Sequence, residues 1–174
     1  QGERPDITPL KEKYGISGAV ISAVDLIKGI GTYADMGVIE VPGATGYYDT
    51  DYKGKAQHAL KALETFDYVY VHVESIDEAS HAGDLEMKIK TIEDFDEQVL
   101  GPLLNSDKEF TIAVLPDHLT PLKIKTHARD PVPFAVCSPK ESTGDGTRFD
   151  EFSAKNGSVG LLEGEEFMRF LLKH

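Results

Sequence analysis

The chain has 174 residues, 40% of them hydrophobic and 28% charged, with a formal net charge of -12 and a pI near 4.8. That length suits one domain burying roughly two thirds of its unfolded surface, and the acidity argues against binding a nucleic-acid backbone, which needs clustered Lys and Arg. No apolar run reaches the ~20 residues of a membrane span, no signal-peptide pattern opens the chain, and a lone Cys137 excludes an internal disulfide framework and fits a reducing, cytoplasmic compartment.

The opening stretch, QGERPDITPLKEKYG (1–15), reads as a polar linker into a strand, with the first Met only at 36, so the chain is expected to be a fragment. GAVISAV (18–24) is short, apolar and β-branched, as a buried strand would be. DLIKGIGTYADMG (25–37) predicts a short helix weakened by Gly29 and Gly31. VIEV (38–41) is a second strand, closed by Pro42 and Gly43 and followed by the Gly-, Asp- and Tyr-rich loop GATGYYDTDYKG. From Lys55 to Phe66 the pattern is helical, with Ala56, Leu60 and Leu63 on one face. YVYVHV (68–73) is a strand. Leu85, Ile89, Ile92, Phe95, Val99 and Leu103 then predict one long amphipathic helix, with Asp84 as its cap. FTIAVL (110–115) is a further strand ended by Pro116, PVPFAVC (131–137) an edge strand because of its prolines, and GEEFMRFLLKH a closing helix with acidic residues at its N-terminus. Strands alternating with helices imply an α/β fold, a mostly parallel sheet with helices on both faces, whose ligands bind beyond the carboxyl ends of the strands.

That rule directs attention to three stretches. SIDEASHAGD follows the strand at 68–73 and offers Asp77 and His81 four residues apart. LPDHLTP puts Asp117 and His118 directly after the strand at 110–115, and KIKTHARDPVPF adds His127 before the next strand. Carboxylate and imidazole together suit zinc, manganese and similar divalent ions. Each residue also has a plainer reading. Asp77 and Asp117 could be cap or turn formers, and His127 a surface histidine. His58 falls on the polar side of a helix, His72 inside a strand, and His174 is the last residue. Three loops carrying complementary ligand types at one sheet edge favour the metal reading.

SIDEASHAGD, LPDHLTP and THARDPVPF, with GAVISAVDLIKGIG and VIEVPGATGYYDT, resemble the archaeal-type cofactor-independent phosphoglycerate mutases of the alkaline phosphatase superfamily. The resemblance runs through nearly the whole chain but covers only the C-terminal half of such an enzyme. It implies that residues 16–174 form the C-terminal part of an alkaline-phosphatase-like, metal-binding core, and that 1–15 return from an inserted domain absent here. It also implies two divalent ions, manganese or zinc, with magnesium and cobalt as alternatives. Asp77, His81 and His127 would hold one ion, and Asp117 and His118 would supply two ligands of the other. The implied reaction interconverts 3-phosphoglycerate and 2-phosphoglycerate through a phosphoserine. The nucleophilic Ser has no match here: Ser22, Ser75, Ser80, Ser138 and Ser142 stand at other positions. Lys28 corresponds to a lysine that touches substrate phosphate in the wider family, or is an exposed lysine. The expected partner is a small phosphorylated substrate, with no nucleic acid and no membrane. A homoserine kinase-type phosphotransferase sharing all five ligands, and a non-catalytic metal-binding domain, remain as alternatives.

Overall fold

The most buried strand of the protein explains the layout around it. In the computed structural model, which describes residues 5–139 and 148–174, β1 (Gly18–Ile21) is buried along its entire length. Burial on both sides marks a central strand of a parallel sheet, which is why its sequence runs apolar without alternation. β1 is flanked by β2 (Gly37–Val38) and β3 (Tyr68–Val71), both parallel to it, in the order β2-β1-β3. Ala19 lies opposite Gly37 and Val69. At its start, Asp67 accepts from the backbone N–H of Ser17 at 2.9 Å and from its hydroxyl at 2.7 Å, fixing the register of β1 and β3.

Two helices make the parallel crossovers. α2 (Asp25–Tyr33) connects β1 to β2 and packs on both, and α3 (Tyr52–Ala62) connects β2 to β3 and packs on β1 and β3. Successive residues of a strand face opposite sides of the sheet. Gly31 of α2 meets Val20, where an added Cβ would lie 2.6 Å from Cγ1. Ala59 of α3 packs with the next residue, Ile21, in a core that also holds Val41, Val71 and Leu103. The helices therefore cover the two faces of the sheet, as right-handed crossovers in opposite directions require.

Where the sequence predicts one amphipathic helix over 85–103, the structure has α5 (Leu85–Phe95), a π turn at Asp96–Leu100 and α6 (Gly101–Leu104). Asp84 caps α5, its carboxylate accepting from Met87 N–H at 2.9 Å, as expected. The inward face differs from the expected stripe: Thr91 and Val99 are buried, whereas Leu85, Ile89 and Ile92 are about half exposed, at 57%, 48% and 46%. A π turn inserts one residue per turn, so a face counted at 3.6 residues per turn is rotated across it. The π turn and α6 pack on α3, and α4 (Ser75–Ala82) packs on α5. The stretch read as a linker carries a five-residue helix, α1 (Leu10–Tyr14), closed by Gly15 in the left-handed region at φ 76°.

All of this belongs to the first of two compact units, which ends at Ser106; the second begins at Asp107. In the second, β4 (Ile112–Val114) and β5 (Ala135–Cys137) pair antiparallel, Ala113 opposite Val136. Among the described residues the sheets are thus mostly parallel, with this one antiparallel pair. α7 (Glu151–Ala154), which the sequence pattern does not show, is capped by Asp150. α8 (Gly164–Leu171) opens on a capping box between Glu163 and Glu166. Phe167 and Phe170 of α8 meet Phe134 edge-on at 5.3 and 6.2 Å between ring centres.

Candidate metal centre

The segment after β3 turns directly into α4, so Asp77 and His81 lie on a helix and not on the loop that the sequence suggests. Glu74 is the N-cap residue, and Asp77 N–H donates to its carbonyl at 2.9 Å. Asp77 is therefore a first-turn residue, and the plainer reading of it as a cap does not hold. Residues four apart share one helical face. This brings Asp77 Oδ2 to 3.1 Å from His81 Nε2. Two ligand atoms at that separation, each ~2.1 Å from a divalent ion, would subtend roughly 95° at it, within the range of a four- to six-coordinate centre. The same spacing serves an imidazole N–H donating to a carboxylate. Donor chemistry and geometry both fit a metal.

In the second unit, LPDHLTP follows β4 and folds against the approach to β5. Ala128 N–H donates to Leu119 carbonyl at 2.8 Å in an isolated antiparallel bridge. That bridge sets the residues just before each partner, His118 and His127, side by side. Their rings stack with centres 3.7 Å apart and 28° between planes, and each offers a ring nitrogen within 4.8 Å of the other's. Asp117 is anchored locally: its Oδ1 accepts from His118 N–H at 3.0 Å and lies 3.6 Å from His118 Nε2. His118 Nδ1 sits 3.2 Å from Thr120 Oγ1, a second contact of the kind that orients metal-binding imidazoles.

The other singled-out residues are placed elsewhere. Lys28 on α2 bonds Asp25 at 3.1 Å and reaches Glu40 at 3.6 Å; the Asp25 hydrogen bond foremost, against some desolvation, holds its ammonium above the usual lysine range. His58 Nδ1 is 2.7 Å from Gly54 carbonyl, and the ring of His174 packs on Phe170 at 4.5 Å. The serines are engaged. Ser22 accepts from Val24 N–H, Ser80 donates to Ile76 carbonyl, Ser138 donates to His174 carbonyl, and Ser75 shares a hydrogen bond with Tyr52. Ser142 lies outside the described residues.

One group escapes the sequence reading altogether. Lys55 is fully buried on α3, beside Ala56 and Ala59. Its ammonium donates to His72 carbonyl at 2.9 Å. Burial pushes it down to about 8, with the charge of Glu74 opposing the shift. The signal available was a lysine on the apolar face of a helix, between small residues.

The model of the Metalloenzyme superfamily matches residues 1–174. The chain belongs to the metalloenzyme superfamily. Within that superfamily it is 55% identical over 178 aligned residues to a 2,3-bisphosphoglycerate-independent phosphoglycerate mutase of Methanosarcina acetivorans, a match covering 99% of this chain and 45% of that protein. The chain thus spans less than half the length of the curated relatives it matches. Its fold is similar to a protein of solved structure from Pyrococcus horikoshii, with a TM-score of 0.88 at 31% identity over 95% of this chain and 50% of that one. It is also similar to the cofactor-independent phosphoglycerate mutase of Thermoplasma acidophilum, with a TM-score of 0.73 at 27% identity over 97% and 39% of the two chains. The resemblance read from the motifs is borne out, and so is the α/β fold class.

Proposed function

We propose that this chain supplies metal-ligating residues for phosphoryl transfer between the two hydroxyls of a phosphoglycerate, interconverting 3-phosphoglycerate and 2-phosphoglycerate. The observation that carries the metal reading is the Asp77–His81 pair, 3.1 Å apart on one helical turn beyond the end of β3. The substrate class rests on the names of the relatives, with 55% identity in the example given. Asp77, His81 and His127 are assigned to one divalent ion and Asp117 and His118 to a second, manganese or zinc in each case. Bound there, such ions would supply Lewis-acid polarisation of a phosphoryl oxygen and charge stabilisation at the attacking and leaving oxygens. The chain's own residues orient the imidazoles, through contacts such as His118 Nδ1 to Thr120 Oγ1. The phosphoryl group passes from one substrate hydroxyl to a serine and then to the other hydroxyl. That serine is one that no position in this sequence matches. Lys28 is assigned to the substrate phosphate, which it would meet by exchanging its Asp25 and Glu40 partners.

The test assays this chain alone, and joined to the part of the Methanosarcina acetivorans relative outside the match. Each receives saturating manganese with 3-phosphoglycerate and, separately, with homoserine plus ATP. The expected result is mutase turnover by the joined polypeptide, its loss in Asp117→Ala, and none by the chain alone. Phosphorylation of homoserine without mutase turnover would overturn the substrate assignment. Turnover by the chain alone, lost in Asp117→Ala, would reveal a nucleophile among these residues.

A further inference from the structure

The segment joining β3 to α4 is gripped by two side chains from α3. Lys55 Nζ donates to His72 carbonyl at 2.9 Å, and Tyr52 hydroxyl shares a 2.6 Å hydrogen bond with Ser75 Oγ. Lys55 and Ser75 are fully buried and Tyr52 nearly so. The two grips fall on either side of Glu74, the N-cap residue of α4. From there the order passes on by backbone: Glu74 carbonyl accepts from the N–H groups of Asp77 at 2.9 Å and Glu78 at 3.2 Å. His72 is held from its other side too, with Nδ1 3.2 Å from Ser22 Oγ at the end of β1 and Nε2 3.4 Å from Glu74 Oε2.

A buried ammonium is costly unless it is hydrogen-bonded and compensated by charge. An apolar side chain would pack between Ala56 and Ala59 without that cost. The lysine hydrogen-bonds the His72 carbonyl just past the end of β3, and the charge of Glu74 opposes the cost of its burial. We propose that Lys55 and Tyr52 are positioning residues that clamp residues 72–75, and so fix the first turn of α4 that aims Asp77 and His81 at a metal ion. The inference rests on the reading of those two residues as ligands, and goes beyond it by naming what holds them.

The test uses the full chain with Tyr52→Phe, which removes one hydroxyl, and Lys55→Met, which keeps the length and removes the charge. Amide hydrogen exchange at Asp77 and Glu78 is followed in metal-free protein, with the amide of Lys88 in α5, bonded to Asp84 carbonyl, as the internal control. Cobalt(II) alone is then titrated, recording its visible ligand-field absorption. Both variants are expected to exchange the Asp77 and Glu78 amides about tenfold faster at unchanged Lys88 protection, and to bind cobalt about tenfold more weakly with an altered spectrum. Wild-type protection at Asp77 and Glu78 in folded variants would overturn the proposal. So would equal acceleration at Lys88, which means general destabilisation, or faster exchange with unchanged cobalt affinity. If Lys55→Met fails to fold, Tyr52→Phe decides alone. If the wild-type chain binds no cobalt, the metal reading fails, and the exchange comparison still decides whether the clamp exists.

Discussion

Lys55 has a measurable signature in stability against pH. In the unfolded chain its ammonium titrates near the ordinary lysine value of 10.5, and in the folded protein burial lowers it to about 8. Between those values the unfolded state binds more protons, so stability rises with pH. The folded protein carries a penalty below pH 8 that disappears toward 10.5. Comparing urea unfolding of the wild type and Lys55→Met at pH 7.5 and 10, the wild type should gain about 2 kcal/mol relative to the variant. Tyr68, which burial pushes up to about 12, costs stability above pH 10 in both proteins and cancels in the difference. The ligand pair calls for a different measurement. His81→Ala should weaken manganese binding by tenfold or more at the site assigned to Asp77, leaving the Asp117–His118 pair as it was. Isothermal titration showing wild-type stoichiometry and affinity would contradict that assignment.

Helix α2 carries two glycines in opposite circumstances. Gly31 lies against β1, where an added Cβ would sit 2.6 Å from Val20 Cγ1, and Gly29 has nothing within 4 Å. Gly31→Ala must push the helix off the central strand and should cost about 1–3 kcal/mol. Gly29→Ala meets no obstacle and lowers the entropy of the unfolded chain, so it should stabilise by roughly 0.5–1 kcal/mol. Opposite signs in denaturant unfolding would establish that α2 docks through Gly31; equal effects would refute it. The sequence shows both glycines only as weak points in a helix. Which one faces the strand depends on the crossover geometry.

For the molecule as a whole, a formal charge of -12 bears on any anionic substrate. A phosphate ester approaches such a chain against its average field, so local positive charge must be provided. Divalent ions held by the proposed ligands would provide it. A ligand that binds only the folded state stabilises it by mass action, by about 2.7 kcal/mol at one hundred times its dissociation constant. Manganese should therefore raise the midpoint of thermal unfolding. Because ligation needs neutral imidazole, which titrates near ~6.5 when free, the gain should fade between pH 7 and 5. A manganese-induced rise of equal size at both pH values would count against histidine ligation. Among the described residues no helix is long and apolar enough to cross a membrane.

The elements legible in the sequence were those whose pattern comes from burial alone. GAVI, short, apolar and β-branched, read as a buried strand, and the alternation of strands and helices around it implied the α/β class. Asp84 as a cap and the acidic start of α8 followed from local electrostatics that act within one turn. The candidate ligands could be named from the sequence too, because carboxylate and imidazole at strand ends are a matter of composition and order. Tertiary structure decided the rest. It put Asp77 and His81 on a helix face by starting α4 directly after Glu74, whose carbonyl accepts from Asp77 and Glu78 N–H, a choice of backbone path that SIDEASH alone leaves open. It moved the apolar face of the 85–103 helix by inserting a π turn, paired β4 and β5 antiparallel, and stacked His118 on His127 through one bridge between Leu119 and Ala128. Lys55 shows the limit most directly. A lysine reads as solvent-facing because exposing its charge is the cheapest outcome in isolation, and only a carbonyl and a carboxylate brought in from the segment between β3 and α4 make its burial tolerable.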